Sequence, residues 1–317
     1  MLNLSLMISG FVPLMFGANL LVDSASSLAK KLNIPDIVIG LTIVAFGTSA
    51  PELVVNLFAS FSGSTDIALG NVVGSNIFNI LGILGISAIV YPLTVKSNTT
   101  WIEIPLCFLS AVVLIIIAND KIIDGSGNSV ISRIDGLLLL FFFMIFIVYT
   151  FQLIKTGEFT EEIPIKQYSV IKSILLIIAG LLLLVIGSRI IVLFATKFAQ
   201  DIGISERIIA LTIVSIGTSL PELATSVIAA KKKNVDIAIG NIVGSNIFNV
   251  FLILGISAVI NPVYLQKMSN WDMITNIISS ILLFLFIFTG KGRRLERWEG
   301  IIFVTLYAVY IIILILL

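Results

Sequence analysis

The chain has 317 residues, of which 58% are hydrophobic and 12% charged, and its mean hydropathy is +1.14. Soluble domains carry about 25% charged residues, so this chain cannot cover its surface with polar groups and is expected to lie in a membrane. The net charge of +1 gives no reason to expect a nucleic-acid partner. There is no histidine and only one cysteine, Cys107, which excludes histidine-ligated metals, serine–histidine catalysis and an internal disulfide.

The hydropathy pattern predicts an all-α integral membrane protein, because a helix needs about 20 apolar residues to cross a bilayer. The longest clear loop, 155–170, is polar and is predicted to be a cytoplasmic linker between a first half, 1–154, and a second half, 171–317. The loops between the other spans are short. The ten predicted spans are 4–22, 37–60, 67–90, 102–118, 134–154, 171–195, 207–230, 237–260, 272–289 and 300–317.

The distribution of lysine and arginine predicts the orientation, because cytoplasmic loops carry the excess of these residues. Ten spans place the loops alternately on two sides. One side holds Lys30, Lys31, Lys96, Lys155, Lys166, Lys172, Lys231, Lys232, Lys233, Lys291, Arg293, Arg294 and Arg297, and the other holds Lys121, Arg133, Arg189, Lys197, Arg207 and Lys267. The first side is therefore predicted to be cytoplasmic, with both termini outside a plasma or inner membrane.

An internal repeat is the strongest signal in the sequence. LTIVAFGTSAPEL, which starts at Leu41, returns as LTIVSIGTSLPEL at Leu211, and DIALGNVVGSNIFN, which starts at Asp66, returns as DIAIGNIVGSNIFN at Asp236. The two halves are thus offset by 170 residues. Because each half is predicted to contain five spans, the second enters from the opposite face. Inverted repeats of this kind occur in transporters, whose substrate sites lie between the repeats near the midplane.

Two glutamates, Glu52 and Glu222, are predicted to stand out from the other acidic residues, which mostly lie at loops or span ends. Each lies in mid-span in the repeated G-T-S-x-P-E signature. An ionisable group inside a membrane points to a functional site, because burying its charge costs several kcal/mol. A structural carboxylate paired with a buried base is the alternative, and Arg189 is the one basic candidate near mid-span.

A proline precedes each glutamate. Pro51 and Pro221 lack an amide donor and leave the carbonyls of Gly47 and Gly217 without their helical partner. We expect the helices to break here, and broken backbone at membrane depth is tolerated where it lines a cavity or is buried in protein. The freed carbonyls would add oxygen ligands, although an ordinary proline kink is the alternative.

The second repeated signature is G-N-x-V-G-S-N-I-F-N. Its glycines, Gly70 with Gly74 and Gly240 with Gly244, form G-x-x-x-G patterns that predict close helix packing. The serine and the last asparagine share one helix face at i and i+4. The remaining asparagines, Asn76 and Asn246, point elsewhere and are predicted to cap or brace the broken helices rather than to bind substrate.

The predicted site offers carboxylates, amides, hydroxyls and carbonyls but no nitrogen base or thiolate. Oxygen ligands favour calcium, sodium or magnesium over zinc or copper, and mobile broken helices suit the flexible coordination of calcium better than the octahedron of magnesium. Two glutamates balance one divalent or two monovalent ions. One site could therefore alternate between calcium and sodium.

Together the two signatures resemble the alpha repeats of the sodium/calcium exchanger family, within the calcium/cation antiporter superfamily, and look closest to its prokaryotic branch. The resemblance covers the whole chain. It implies that several sodium ions exchange for one calcium ion while the first and sixth helices slide past a ligand bundle. It also implies side-chain ligands at Thr48, Ser49, Glu52, Ser75, Asn79, Thr218, Ser219, Glu222, Ser245 and Asn249, and carbonyl ligands at Ala45 and Ser215.

Asn249 departs from some archaeal and potassium-dependent members of the superfamily, which carry aspartate at this position. The loss of a third carboxylate favours a potassium-independent exchanger. A third sodium ion would then move with net positive charge, so we expect electrogenic exchange. The partners expected are calcium, sodium and membrane lipid, with no cofactor and with a monomer sufficient for transport.

Other functions remain open at this point. A calcium/proton antiporter would use the buried glutamates as proton carriers, although such relatives usually place an acid in a G-N-x-x-E pattern that is absent after Gly70 and Asn71. Another divalent cation is an open substrate. A cation channel also uses acidic and carbonyl ligands, but an inverted duplication fits alternating access better. An intramembrane enzyme is disfavoured by the absence of histidine, so we expect no enzymatic activity.

Overall fold

The computed structural model describes residues 2–63, 65–123, 125, 129–156, 166–201, 215–265, 269–290 and 292–316. The helices of these residues are α1 (Leu2–Leu32), α2 (Asp36–Thr48), α3 (Ala50–Phe61), α4 (Ile67–Val90), α5 (Thr99–Ile117), α6 (Asp120–Ile123), α7 (Arg133–Lys155), α8 (Val170–Asp201), α9 (Ser215–Thr218), α10 (Leu220–Lys231), α11 (Val235–Ile260), α12 (Ser269–Thr289) and α13 (Arg297–Leu316).

The membrane-spanning character predicted from the sequence is confirmed. Eight of the described helices are long and apolar enough to cross a bilayer, and the bent pair α2 and α3 makes up to nine. The predicted span 207–230 begins in residues 202–214, which lie outside the described residues. Its described part consists of α9 and α10. Most of the linker, from 157 to 165, also lies outside them.

Four strands of two residues each were not predicted. Their antiparallel pairs are too short for an alternating pattern to be visible in the sequence. Leu93–Thr94 pairs with Arg294–Leu295, and Val130–Ile131 pairs with Val263–Tyr264. Leu93 and Val263 are related by the offset of 170 residues, so the equivalent strand of each repeat pairs with a strand from the other half.

The first and sixth spans are longer than the hydropathy pattern indicates. The prediction for the first span was 4–22, but α1 continues to Leu32, and α8 continues to Asp201 beyond the predicted end at 195. The extra part of α1 is rich in serine and alanine, and Ser24 and Ala25 are fully buried. Hydropathy underestimates such a segment because it packs against protein instead of lipid.

Helices α1 and α8 make the most extensive helix contact among the described residues. Their backbones meet at glycines. A Cβ atom added to Gly17 would lie 2.7 Å from the carbonyl oxygen of Gly180, and one added to Gly187 would lie 2.6 Å from the amide nitrogen of Leu14. Only glycine permits this approach, so the two helices pack as one close pair.

Helices α4 and α11, which carry the second signature, form the centre of the protein. About 83% of the most apolar stretch of each is buried inside the protein, compared with 22–44% for the six other long helices. The G-x-x-x-G prediction is confirmed for α11, because a Cβ at Gly240 would lie 2.9 Å from the carbonyl of Ile37 and one at Gly244 would lie 2.8 Å from that of Leu41. A Cβ atom added to Gly70 would meet no described atom of another segment within 4 Å, so the packing role of the first pattern stays a prediction.

Candidate cation site at the centre of the bundle

The predicted helix breaks occur at a serine that lies two residues before the proline of each repeated signature. Ser49 and Ser219 leave the helical conformation, with ψ angles of 5° and 9°, and α2 and α3 are bent by 47°. Pro51 and Pro221 then lie in the first turn of the following helices. Proline is tolerated there because the first amides of a helix have no intrahelical partner. The break thus follows directly from the repeated signature.

The two glutamates follow these breaks. Glu52 lies in the first turn of α3 and Glu222 in the first turn of α10, and each is only 1% exposed. A carboxylate in the first turn is stabilised by the unpaired amides of the helix end. Among the described residues, no lysine or arginine lies within ion-pairing distance of either carboxylate, so a structural pairing with a base finds no support there.

The hydroxyl groups beside the breaks cross between the two repeats. Ser49 donates to Oε1 of Glu222 at 3.0 Å, and Ser219 donates to Oε1 of Glu52 at 3.0 Å. The Ser219 oxygen also lies 3.1 Å from the hydroxyl of Ser75. Each carboxylate is therefore oriented by the opposite repeat, and residues far apart in sequence meet in one cluster.

Five buried oxygen atoms of predicted ligands have no hydrogen-bond partner in the described part of the chain. They are Oε2 of Glu52, Oε2 of Glu222, Oδ1 of Asn79, Oδ1 of Asn249 and Oγ of Ser245. An unpaired buried polar atom costs about 1–3 kcal/mol, and such atoms in a native protein call for an explanation. Carboxylate, amide and hydroxyl oxygens are the kind of atoms that hard cations bind.

Asn76 and Asn246 contact the predicted ligand asparagines of the opposite repeat. Asn79 donates to Oδ1 of Asn246 at 2.8 Å, and Asn249 donates to Oδ1 of Asn76 at 3.0 Å. The amide nitrogens of Asn76 and Asn246 donate in turn to each other's backbone carbonyls at 3.2 and 3.3 Å. These bonds connect the two central helices, and not the broken helices that the sequence predicts these residues to cap or brace.

The hydroxyl of Thr48 lies 3.0 Å from both the Val44 carbonyl and Oδ1 of Asn241. It donates its single proton to one of them, and its lone pairs stay available for a cation. Thr218 is half-buried. The carbonyl of Ala45 already accepts the amide of Ser49 at 2.9 Å, and Ser215 begins α9. These residues surround the breaks, as expected.

One of the two freed carbonyls has a hydrogen-bond donor from another helix. The carbonyl of Gly217, freed by Pro221, accepts a hydrogen bond from Ser188 of α8 at 2.6 Å. It is satisfied by a neighbouring helix because a freed carbonyl buried away from water needs a donor. Sequence reasoning missed Ser188, since nothing in either signature predicts which serine of the sixth span faces the break.

A second layer of polar residues was also missed. Asn71 donates to Oδ1 of Asn56 at 2.7 Å, and Asn241 donates to the hydroxyl of Ser226 at 2.9 Å. Asn56 and Ser226 follow the glutamates by four residues. These bonds tie each second signature to the helix that carries the glutamate of the same repeat. The asparagine that follows the first glycine in both copies of the second signature was the sequence signal that could have predicted these bonds.

Burial of acidic side chains is not confined to the two mid-span glutamates. Glu103 and Glu299 are also fully buried. Glu103 accepts a hydrogen bond from Tyr149 at 2.5 Å, whereas Glu299 accepts from Thr289 and from the backbone amide of Glu296. Both lie near the start of their helices, where the sequence reads as a span end. Both carboxylate oxygens of Glu299 have donors, whereas Oε2 of Glu103 has no hydrogen-bond partner among the described residues.

A cavity of about 710 Å³ lies between α3, α8 and α9. Apolar side chains form most of its wall, and Pro51 and Thr218 connect it to the helix breaks. Arg189 lines this cavity and is exposed.

The fold and this centre define the chain as a multi-pass integral membrane protein. The two copies of its repeated signatures bring oxygen-bearing side chains together at the centre. A family model described as sodium/calcium exchanger protein matches residues 2–152 and 172–316. The chain belongs to the sodium/calcium exchanger family, a family of membrane antiporters, and the resemblance drawn from the two signatures is confirmed.

Individual relatives agree with this assignment. Inner membrane protein YrbG of Escherichia coli (strain K12) is 38% identical over 83% of this chain and 81% of its own length. Sodium/calcium exchanger MaX1 of Methanosarcina acetivorans is 32% identical over 98% of each chain. A solved structure of the sodium-calcium exchanger NCX_Mj, soaked with 10 mM Na⁺ and 10 mM Sr²⁺, superposes with a TM-score of 0.82 at 34% identity and covers 98% of this chain and 97% of that one.

Proposed function

We propose that the protein is a secondary active antiporter that exchanges sodium for calcium by alternating access. The observation that carries this proposal is the crossed pairing of Ser49 with Glu222 and of Ser219 with Glu52. It joins the two repeats around unpartnered oxygen atoms. Membership of the exchanger family and the names of its relatives support sodium and calcium as the ions.

The proposed cation site is an all-oxygen site with two negative charges. Hard oxygen ligands in a flexible frame suit calcium, and two carboxylates balance one calcium ion or two sodium ions. The ions would therefore compete for the same place, as antiport requires. The proposed ligands are Ala45, Thr48, Ser49, Glu52, Ser75, Asn79, Ser215, Thr218, Ser219, Glu222, Ser245 and Asn249.

The proposed topology has ten spans in two inverted halves, 1–154 and 171–317, with both termini outside and the linker 155–170 in the cytoplasm. The repeat offset, the crossed strand pairs and the distribution of basic residues support it. In this arrangement the two helices that carry the glutamates reach the centre from opposite faces of the membrane.

Calcium-45 uptake into sodium-loaded proteoliposomes tests the function. The outside bath contains sodium or choline, and no potassium. We expect uptake only from the choline medium, because the outward sodium gradient then drives calcium inward. We expect no need for potassium, since Asn249 is not an acid. Uptake that follows a pH gradient without sodium would instead indicate calcium/proton exchange. Equal uptake in both media would contradict sodium coupling.

Transport is expected to carry net charge. With two carboxylates in the site, a third sodium ion crosses with one uncompensated positive charge, so calcium entry moves positive charge outward. An inside-positive potential should therefore raise calcium accumulation. One charge gains about 2.3 kcal/mol per 100 mV, so a potential of about 60 mV should change the steady-state calcium ratio about tenfold. A ratio unaffected by potassium–valinomycin clamps would contradict electrogenic exchange.

A further inference from the structure

Asn76 and Asn246 lie at the crossing of α4 and α11, and each is 1% exposed. Neither belongs to the proposed ligand set. Each uses its side-chain oxygen to accept the amide of the asparagine that the opposite repeat contributes to the site, namely Asn249 and Asn79 respectively.

We propose that Asn76 and Asn246 are positioning residues that select which end of the ligand amides faces the cation. This inference rests on the proposed cation site. An asparagine side chain presents either an oxygen, which binds a cation, or an NH₂ group, which repels it. An acceptor placed behind the amide holds the NH₂ group and leaves the oxygen toward the site.

The remaining atoms support this orientation. Oδ1 of Asn79 and Oδ1 of Asn249 are the unpartnered ends of their amides among the described residues, as this selection requires. Asn76 and Asn246 cannot simply turn over, because their own NH₂ groups donate to each other's backbone carbonyls. The four hydrogen bonds among these asparagines all run from one repeat to the other. The contact is crossed, so Asn76 acts on Asn249 and not on Asn79.

A double-mutant cycle tests this crossed assignment. Calcium binding to the purified full-length protein is measured by calcium-45 equilibrium dialysis in sodium-free buffer. Asn76→Ala should weaken binding about tenfold, the size expected for one lost hydrogen bond that orients a ligand. In an Asn249→Ala background it should cause no further loss. In the matched Asn79→Ala background, Asn76→Ala should again weaken calcium binding by the full factor.

A purely structural role would reduce binding equally in both backgrounds, and that result would overturn the inference while leaving the proposed function intact. A wild-type protein that binds no calcium would overturn both. If Asn76→Ala does not yield folded protein, Asn76→Leu keeps the volume of the side chain and removes its acceptor, and the same cycle applies. The mirror pair, Asn246→Ala with Asn79→Ala, should show the same loss of additivity.

Discussion

Glu52→Gln and Glu222→Gln are each expected to abolish sodium-driven calcium uptake. Glutamine keeps the size of the side chain and an oxygen that accepts the crossed serine hydroxyl, so the substitution removes mainly the charge. Removing one partner of a buried charge pair costs about 3–5 kcal/mol, which corresponds to a loss of affinity of about 100-fold or more. Uptake at saturating and limiting calcium, measured in the same proteoliposomes, reports the loss.

The matched control is Glu103→Gln. Glu103 is as deeply buried as the two site glutamates, but its carboxylate accepts a hydrogen bond from Tyr149 and is not paired across the repeats. We expect this variant to retain uptake. Loss of transport in all three variants would mean that burying a neutral amide harms the fold generally. Full transport in Glu52→Gln would remove that residue from the site.

The sequence was sufficient to locate the glutamates because two independent copies of one signature place them in apolar segments. It also predicted the breaks, since a proline after Gly-Thr-Ser has a defined effect on a helix. The cross-repeat partners of the glutamates were not predictable, because the partner of Ser49 lies 173 positions away. Only the packing of the two halves decides whether a serine meets the carboxylate of its own repeat or of the other.

The errors follow from the same limit. Ser188 satisfies the carbonyl of Gly217 from another helix, and the sequence contains no pattern that connects them. The buried part of α1 from Ser24 to Ser27 looks polar but faces protein, so hydropathy ended the first span too early. Local chemistry was thus predictable, whereas the choice of neighbour was a property of the fold.

Cross-linking is expected to separate the moving pair of helices from the ligand bundle. The family resemblance implies that the first and sixth helices slide together, and α1 and α8 pack closely through glycines. In the half of α1 nearer the end that is predicted to be cytoplasmic, Asp23 pairs with Lys232, just after α10, at 2.6 Å. In an Asp23→Cys, Lys232→Cys, Cys107→Ser protein, a short bifunctional thiosulfonate should reduce calcium uptake at least about tenfold, because a bridge across a sliding interface blocks the transition. A reductant should restore it.

The control bridge joins the two sliding helices to each other. Asn3 of α1 donates to Asp201 of α8 at 2.7 Å, so Asn3→Cys with Asp201→Cys in the same Cys107→Ser background places a bridge inside the proposed moving unit. Uptake should survive this cross-link, since neither helix needs to move relative to the other. Inhibition by both bridges would show that α1 and α8 move separately. Normal transport through the Asp23–Lys232 bridge would show that α1 keeps its position against the bundle during exchange, and the sliding mechanism would then be wrong for this protein.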